Sequence, residues 1–341
     1  MRARVERRAW TVTAGVHVRR LGGVVAAACL TLAALLSASR TCMAADTSTT
    51  APHGSWQLTD GDRVVMLGEG FIEREGQYGI IETALVASHA DLALEFRNLG
   101  WNGDTVWAES RGVFDSPAEG YKRLLSLAEE ISPTVVIVAY GRNESYAGAA
   151  GLDAFREQLR QLCDDLTRAS VPGETGEASA PVRLVLVTPP PFLAAPTCPD
   201  AETRNAALAD YAAVIRDVAS EREAGLVDLF AAFPRAAGES PLSTDGLQLT
   251  PAGYEAAARI FVASSGRTLP TEGFAALDGV RRLVAAKNEL FFHRWRPANE
   301  TYLFLFRRHE QGNNAVEIPQ FDPLVEEAEA KVRTAATAAV R

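Results

Sequence analysis

Residues Asp62–Phe71 read Asp-Arg-Val-Val-Met-Leu-Gly-Glu-Gly-Phe. The four apolar residues Val64–Leu67 stand between a charged pair and two glycines, which is typical of a strand buried on both faces that ends in a tight turn. In open α/β sheets, ligands bind in the crevice at the carboxyl ends of the strands. The sequence therefore predicts that Gly68-Glu69-Gly70 lies at the functional edge of a sheet.

Strand-like and helix-like segments alternate after this stretch. Further strands are predicted at 92–99, 134–140, 182–188 and 226–229, and helices at 77–89, 117–131, 152–168, 201–222 and 251–262. This alternation predicts an α/β fold with a five-stranded parallel sheet and helices on both faces. Beyond residue 271 the pattern changes, because predicted helices at 275–288 and 324–340 flank a segment rich in aromatic residues and arginine.

The first 45 residues are typical of a secretory signal peptide. Residues 1–20 carry six arginines against one acid, residues 21–38 are apolar and uncharged, and Met43-Ala44-Ala45 offers small residues for cleavage. A retained membrane anchor is the alternative, since such a span lies at the lower edge of what crosses a bilayer. Glycines and alanines weaken the span and favour cleavage. We therefore expect an exported protein, periplasmic or extracellular, with no membrane span after cleavage.

Charge and residue types exclude several functions. Without residues 1–45 the chain has 27 basic and 42 acidic residues, a formal charge of −15, which excludes nucleic acid as a partner. The five histidines stand singly and none pairs with a cysteine, so we predict no metal site, and no cofactor is expected. Cys163 and Cys198 remain after cleavage. A disulfide between them and two separate thiols are both open.

Four loops carry glycines and polar residues in a recurring order. They are Gly68-Glu69-Gly70, residues 98–105, Gly141-Arg142-Asn143-Glu144 and residues 245–254. In this order and spacing the chain resembles the SGNH, or GDSL-type, hydrolases over residues 62–261. The resemblance implies a three-layer, flavodoxin-like fold, with a hydrolase-like domain at 62–265. Residues 46–61 are then a flexible lead-in, and residues 266–341 are a helical and aromatic extension packed on the domain.

The resemblance also implies a role for five positions. Gly103 and Asn143 match the family's oxyanion donors, and Asp245 matches the acid of its catalytic triad. Gly70 stands where the family has its serine nucleophile, and Gln248 stands where it has its histidine base. Acyl transfer by this route needs a hydroxyl and a base, and neither glycine nor glutamine supplies one. What remains is an oxyanion pocket and ligand binding, so an efficient esterase of the family type is not expected.

Each of these positions also has a plain structural interpretation. Gly103 suits a turn as well as an oxyanion hole. Asn143 favours a pocket role because it follows a buried strand, whereas Asp245 without a histidine favours a turn or helix cap. For Glu69 and Glu144, which replace the family's aspartates, solvated surface carboxylates are favoured over an acid/base pair that also includes Glu73.

The aromatic extension resembles a C-terminal segment attached to some secreted bacterial SGNH-like proteins. It includes His293, Trp295 and His309, and aromatic rings beside arginine suit a sugar or acyl ligand. We favour a lid or brace packed on the domain, because aromatic residues at this density usually bury themselves. Either histidine, entering the pocket, would supply a base.

Three functions follow from these observations. The first is a member of the esterase family that binds a small-molecule or carbohydrate ester, with its hydrolytic step absent or weakened. The second is an active esterase with a non-standard nucleophile, such as Ser145, and a base from His293 or His309. The third is an extracellular scaffold whose pocket is vestigial and whose extension contacts a partner protein.

Overall fold

The computed structural model describes residues 56–168, 181–235 and 240–340. The predicted signal peptide, 1–45, lies outside the described residues. The strands are β1 Arg63–Gly68, β2 Glu95–Gly100, β3 Val135–Ala139, β4 Arg183–Thr188 and β5 Gly225–Asp228. They form one all-parallel sheet in the order β2-β1-β3-β4-β5. The predicted α/β fold with a five-stranded parallel sheet is confirmed.

Twelve α-helices occur in the described part of the chain. They are α1 Gly70–Tyr78, α2 Ile80–Ser88, α3 Pro117–Ile131, α4 Leu152–Arg168, α5 Ala201–Glu221, α6 Leu229–Ala232, α7 Pro251–Ser264, α8 Gly273–Ala276, α9 Asp278–Trp295, α10 Glu300–Leu303, α11 Arg308–Gln311 and α12 Phe321–Ala339. Short 3-10 helices cover Glu109–Gly112, Glu144–Gly151 and Gly312–Gln320. None of the described helices combines the length and the apolar character needed to cross a membrane.

Strand β1, which lies between β2 and β3, contributes alternate side chains to two hydrophobic layers. Val64 and Met66 belong to the cluster that includes α2 and α7, and Val65 and Leu67 belong to the cluster that includes α4 and α5. Successive side chains of a strand point to opposite faces of the sheet. An unbroken apolar run at β1 therefore supplies both layers at once, which is why it reads as hydrophobic rather than alternating.

The segment after β1 differs from the prediction. The sequence predicts a turn followed by a helix at 77–89, but α1 begins directly after Glu69 and ends at Gly79, which adopts a φ of +65° before α2 begins. Local propensity does not reveal α1, because its two glycines, Gly70 and Gly76, disfavour a helix. Tertiary packing forms it instead: α1 lies so close to the end of β2 that a Cβ on Gly100 would overlap the backbone of Glu73.

The C-terminal helices also differ from their predicted bounds. The helix predicted at 275–288 is the short α8 followed by α9, which continues through Trp295. Val280, Val284 and Phe291 are buried along α9 at helical spacing. Part of the segment rich in aromatic residues and arginine is thus helical. Helix α9 packs against α12 and the β2 edge of the sheet.

A buried charged network joins these C-terminal helices to the sheet. Lys287, fully buried on α9, donates to Oε1 of Glu82 at 2.5 Å and to the carbonyl of Phe96 at 2.9 Å. On α12, Glu329 accepts from Nη1 of Arg97 at 2.7 Å and lies 3.7 Å from the Lys287 ammonium. Removing one member of such a group leaves the others charged in a low-dielectric interior. No pattern in the sequence indicated this network.

The two cysteines of the described chain are separate thiols. Cys163 packs in the cluster beneath α4 and α5, whereas Cys198 packs in a smaller cluster with Phe192 and Leu208. Burial raises the pKa of Cys163 to about 12, so this thiol stays protonated near neutral pH. The sequence left open a disulfide or two separate thiols, and the structure has two free cysteines.

Candidate functional site

A cleft of about 130 Å³ lies at the carboxyl ends of β1 and β3. Its lining comes from the β1–α1 junction, the loops after β2 and β3, and the segment that precedes α7. The lining residues are Glu69, Gly70, Phe71, Arg74, Asn102, Arg142, Asn143, Tyr146, Leu247, Gln248, Leu249 and Tyr254. Four of the sequence-predicted site residues, Glu69, Gly70, Asn143 and Gln248, thus come together around one space.

A larger cavity of about 860 Å³ lies at the opposite end of the sheet. Arg183 and Gly225, which line it, are the first residues of β4 and β5. Arg168 and Pro181, also in its lining, flank residues that the structure does not describe. Ligands of open α/β sheets bind at the carboxyl ends of the strands, so the smaller cleft is the candidate site.

Position 70, where the family has its nucleophile, is the first residue of α1. A Cβ built on Gly70 would lie 2.6 Å from Oδ1 of Asn102. The backbone N–H of Asn102 donates to Oε2 of Glu73 at 2.6 Å, which holds this loop against α1. A neighbouring side chain therefore occupies the space that a serine would need.

The two oxyanion positions are placed differently. Asn143 lines the cleft, and its Nδ2 donates to the carbonyl of Asp104 at 2.8 Å, which leaves the second amide hydrogen for a ligand. Gly103 is exposed in the adjoining turn, with a φ of +77°, and the turn is closed by a bond from Asp104 N to Trp101 O at 3.0 Å. Its neighbour Asn102, rather than Gly103, lines the cleft.

The loop at residues 245–254 brings Gln248 into the lining of the cleft but leaves Asp245 outside it. Oδ1 of Asp245 accepts the backbone N–H groups of Leu247 at 2.9 Å and of Gln248 at 2.7 Å. Burial alone would raise the pKa of Asp245, but these two donors outweigh it and the pKa is lowered. The carboxylate therefore stabilises a turn, and the exposed Gln248 presents an amide, which is not basic, to the cleft.

The two glutamates near the motifs are both buried, so the interpretation as solvated carboxylates is wrong for each. Glu144 accepts the N–H of Val106 and the N–H of Gly141, both at 2.8 Å, and thereby joins the loops after β2 and β3. Burial raises its pKa to about 7. Glu69 lines the cleft itself. Burial raises its pKa too, opposed in part by the charge of Arg142 and by the N–H groups at the start of α1.

Two arginines in the cleft were not predicted as site residues. Arg142 donates to the carbonyl of Leu247 and to the carbonyl of Pro190, each at 2.6 Å, and its guanidinium lies 5.5 Å from the ring of Phe192. Arg142 thus holds the loops after β3 and β4 against the loop at residues 245–254. Arg74 lies on α1, one turn beyond Gly70. The motif position of Arg142 was the available signal, whereas nothing in the sequence revealed Arg74, because α1 was not predicted.

The C-terminal extension approaches the cleft from the side. His293 is exposed and lies 6.0 Å from the rings of Phe292 and Phe321, and His309 is exposed beside Glu310. Trp295 contacts Trp101 edge-on at 5.8 Å. Among the described residues that line the cleft, none comes from the extension.

Arg296 connects the extension to the loop beside the cleft. Its guanidinium lies 3.6 Å from the ring centroid of Trp101, and its Nη1 pairs with Oε2 of Glu73 at 2.9 Å. The same Glu73 oxygen holds the backbone of Asn102. The extension therefore braces the loop that carries Asn102, the side chain of which covers the serine position at Gly70.

Comparison with known protein families identifies the class of protein to which this chain belongs. The model of the GDSL-like lipase/acylhydrolase family matches residues 69–256, more than half of the chain. The chain belongs to this family, and the resemblance to SGNH hydrolases is confirmed. No curated protein matches the sequence.

Among solved structures, the chain is similar to LAE5, an alpha/beta hydrolase enzyme from the metagenome of Lake Arreo, Spain. The identity is 18%, the TM-score is 0.47, and the match covers 61% of this chain and 97% of that one. It is also similar to Axe2, an acetylxylan esterase from Geobacillus stearothermophilus, with 18% identity, a TM-score of 0.47, and coverage of 62% and 96%. At these identities the likeness concerns the fold alone.

Proposed function

We propose that this protein binds an acyl-ester ligand, such as an acylated sugar, and lacks efficient hydrolysis by the serine mechanism of its family. One observation carries the proposal: among the described residues that line the cleft, none is a serine, cysteine or histidine. The family mechanism requires a hydroxyl or thiol and a base that takes its proton. Gly70 and Gln248 supply neither.

The elements that bind a ligand are retained. Asn143 has an amide hydrogen that is free to contact a carbonyl oxygen, and Tyr146 stands exposed at the rim with its ring edge-on to Phe192. An oxyanion pocket together with substrate binding gives a residual acceleration of about 10³–10⁴ over water in serine proteases without their triad. Slow background turnover is therefore compatible with a protein whose main activity is binding.

The alternative of an active esterase with a rescued triad has less support. His293 and His309 are exposed outside the lining of the cleft, and Ser145 is buried with its hydroxyl donating to the carbonyl of Arg142 at 2.7 Å. None of these three side chains lies in the lining of the cleft.

We also infer export through residues 1–45, so that the ligand would be met outside the cytoplasm.

Two measurements on the purified mature chain test the proposal. We expect acetylated xylo-oligosaccharides to raise the melting temperature, since a ligand that binds only the native state stabilises it. With p-nitrophenyl acetate, we expect no covalent acyl adduct by intact mass spectrometry, and only slow turnover that lies slightly above that of the Asn143→Ala variant, because the residual acceleration comes from the oxyanion pocket. An acyl adduct on the wild-type chain, or turnover far above that of Asn143→Ala, would show that the chain is an active esterase.

A further inference from the structure

Two arginines line the cleft, and neither forms an ion pair with a described residue. We propose that the cleft selects a ligand bearing a carboxylate, such as a uronic acid residue or its acylated form, through Arg74 and Arg142. This inference rests on the proposed function, because it names the chemical class of ligand for the same cleft.

The surroundings of Arg142 provide the stronger support for this proposal. Its side chain is only 7% exposed, its two Nη atoms donate to neutral carbonyls, and its Nε is buried without a partner. It forms no ion pair with any described residue. Buried guanidinium groups are normally paired with an anion, because an unpaired charge is expensive to bury. A buried guanidinium without an anionic partner, in the wall of a cleft, points to an anionic group that the ligand brings.

Arg74, on α1, provides a second cation in the lining of the cleft. It is half-buried in the lining, and no hydrogen bond or ion pair joins its side chain to a described residue. Its charge lowers the pKa of Glu69 and of Asp245, yet neither carboxylate is within ion-pair distance. The Asp245 carboxylate is already engaged by backbone N–H groups. The planar fork of Arg74 is thus free to bind a carboxylate in two-point fashion.

Glu69 explains why a monoanion fits better than a dianion. Its carboxyl lines the same cleft and faces Arg74 and Arg142, with Glu144 and the Tyr254 hydroxyl also near enough to interact. Burial already raises the pKa of Glu69, and a bound anion would raise it further. Once protonated, the carboxyl can donate a hydrogen bond to the ligand's carboxylate, so binding takes up a proton. A doubly charged phosphate would meet more repulsion in this small space.

The test is calorimetric titration of the full mature chain with D-glucuronate, its neutral methyl ester and inorganic phosphate. We expect glucuronate to bind most tightly and Arg74→Gln to lose about tenfold in affinity for it, as the loss of one charge-assisted contact predicts. The matched control is Arg333→Gln on α12, which removes the same charge away from the cleft and should bind as the wild type does. Melting curves establish that both variants fold.

The pH dependence of glucuronate affinity is a further test, because a purely structural role of Glu69 would leave this dependence unchanged. Affinity for glucuronate should fall as pH rises through the pKa of Glu69, and Glu69→Gln should flatten this dependence. No binding of glucuronate, equal binding of glucuronate and its methyl ester, or unchanged affinity in Arg74→Gln would overturn the inference. Tighter binding of phosphate would overturn the choice of a carboxylate. The two proposals fail separately. Detection of an acyl adduct would overturn the proposed function but would leave the preference for an anionic ligand intact.

Discussion

The side-chain oxygen of Asn102 lies 2.6 Å from the point where a Cβ of Gly70 would stand. The position of the family's nucleophile is thus covered by a side chain from the next strand's loop. Asn102 is exposed and would meet a new side chain with the far end of its own, which can rotate away at small cost. The loss of serine is therefore a local change in a retained site, and it is open to reversal by substitution.

Restoring both missing groups should restore turnover. We expect the combined variant Gly70→Ser, Gln248→His to hydrolyse p-nitrophenyl acetate at least about 10²-fold faster than either single variant, because a positioned general base contributes about 10²–10⁴-fold. The two single variants are the controls, since each lacks one partner. Adding Asn102→Ala should increase the rate further by clearing the serine position. A combined variant as slow as the single ones would contradict an intact architecture.

We expect Arg296 to stabilise the loop that borders the cleft, although Arg296 itself lies in the C-terminal extension. Arg296→Ala removes the stack on Trp101 and the pair with Glu73. We expect it to lower the free energy of unfolding by about 1–2 kcal/mol and to weaken ligand binding, because the Asn102 loop loses its brace. Arg307→Ala is the matched control, since Arg307 stacks on Tyr302 and pairs with Glu310 within the extension. Equal effects of both variants on ligand affinity would show that Arg296 is an ordinary surface residue.

The sequence predicted the sheet and the motif loops well for physical reasons. Fully buried strands such as β3 are continuous apolar runs, and parallel strands bring their following loops to one edge. Among the features it missed, α1 and the network around Lys287 depend on packing between segments far apart in the chain. Residues 82 and 287 read as surface charges on two helices until the fold brings them together. For the same reason Arg74, on the unpredicted α1, could not be assigned to the cleft.

The close approach of α1 to β2 should make Gly100 intolerant of any side chain. A Cβ at this position would overlap the backbone nitrogen of Glu73, which cannot move without displacing α1. We expect Gly100→Ala to lower the free energy of unfolding by about 1–3 kcal/mol in urea denaturation, or more if α1 is expelled. Gly279→Ala is the control, because Gly279 lies in α9 with nothing within 4 Å of its added Cβ. It should be stabilising by up to about 1 kcal/mol.

Lys287 should be indispensable for attaching the C-terminal helices. Lys287→Met leaves Glu82 and Glu329 buried without their shared cation, and loss of one partner of a buried pair typically costs about 3–5 kcal/mol. Urea denaturation at neutral pH measures the change. The control is Lys122→Met, which removes an exposed pair with Glu119 and should change stability by no more than about 1 kcal/mol. Similar values for the two variants would show that the network contributes little.

Glu75 should make stability fall as pH rises. It is fully buried, with one carboxyl oxygen accepting the N–H of Glu82 at 3.0 Å and the other without a described partner, and burial raises its pKa to about 8. In the unfolded chain the pKa is about 4.3, so between these values the native state holds a proton that the unfolded state releases. The free energy of unfolding then decreases with pH by up to about 1.4 kcal/mol per unit. Glu75→Gln removes this proton, so its stability relative to the wild type should rise from pH 4 to pH 8 in urea denaturation. Glu202→Gln, at an exposed site on α5, should follow the wild type across the range, and a pH-independent difference for Glu75→Gln would mean that the carboxyl is not protonated in the fold.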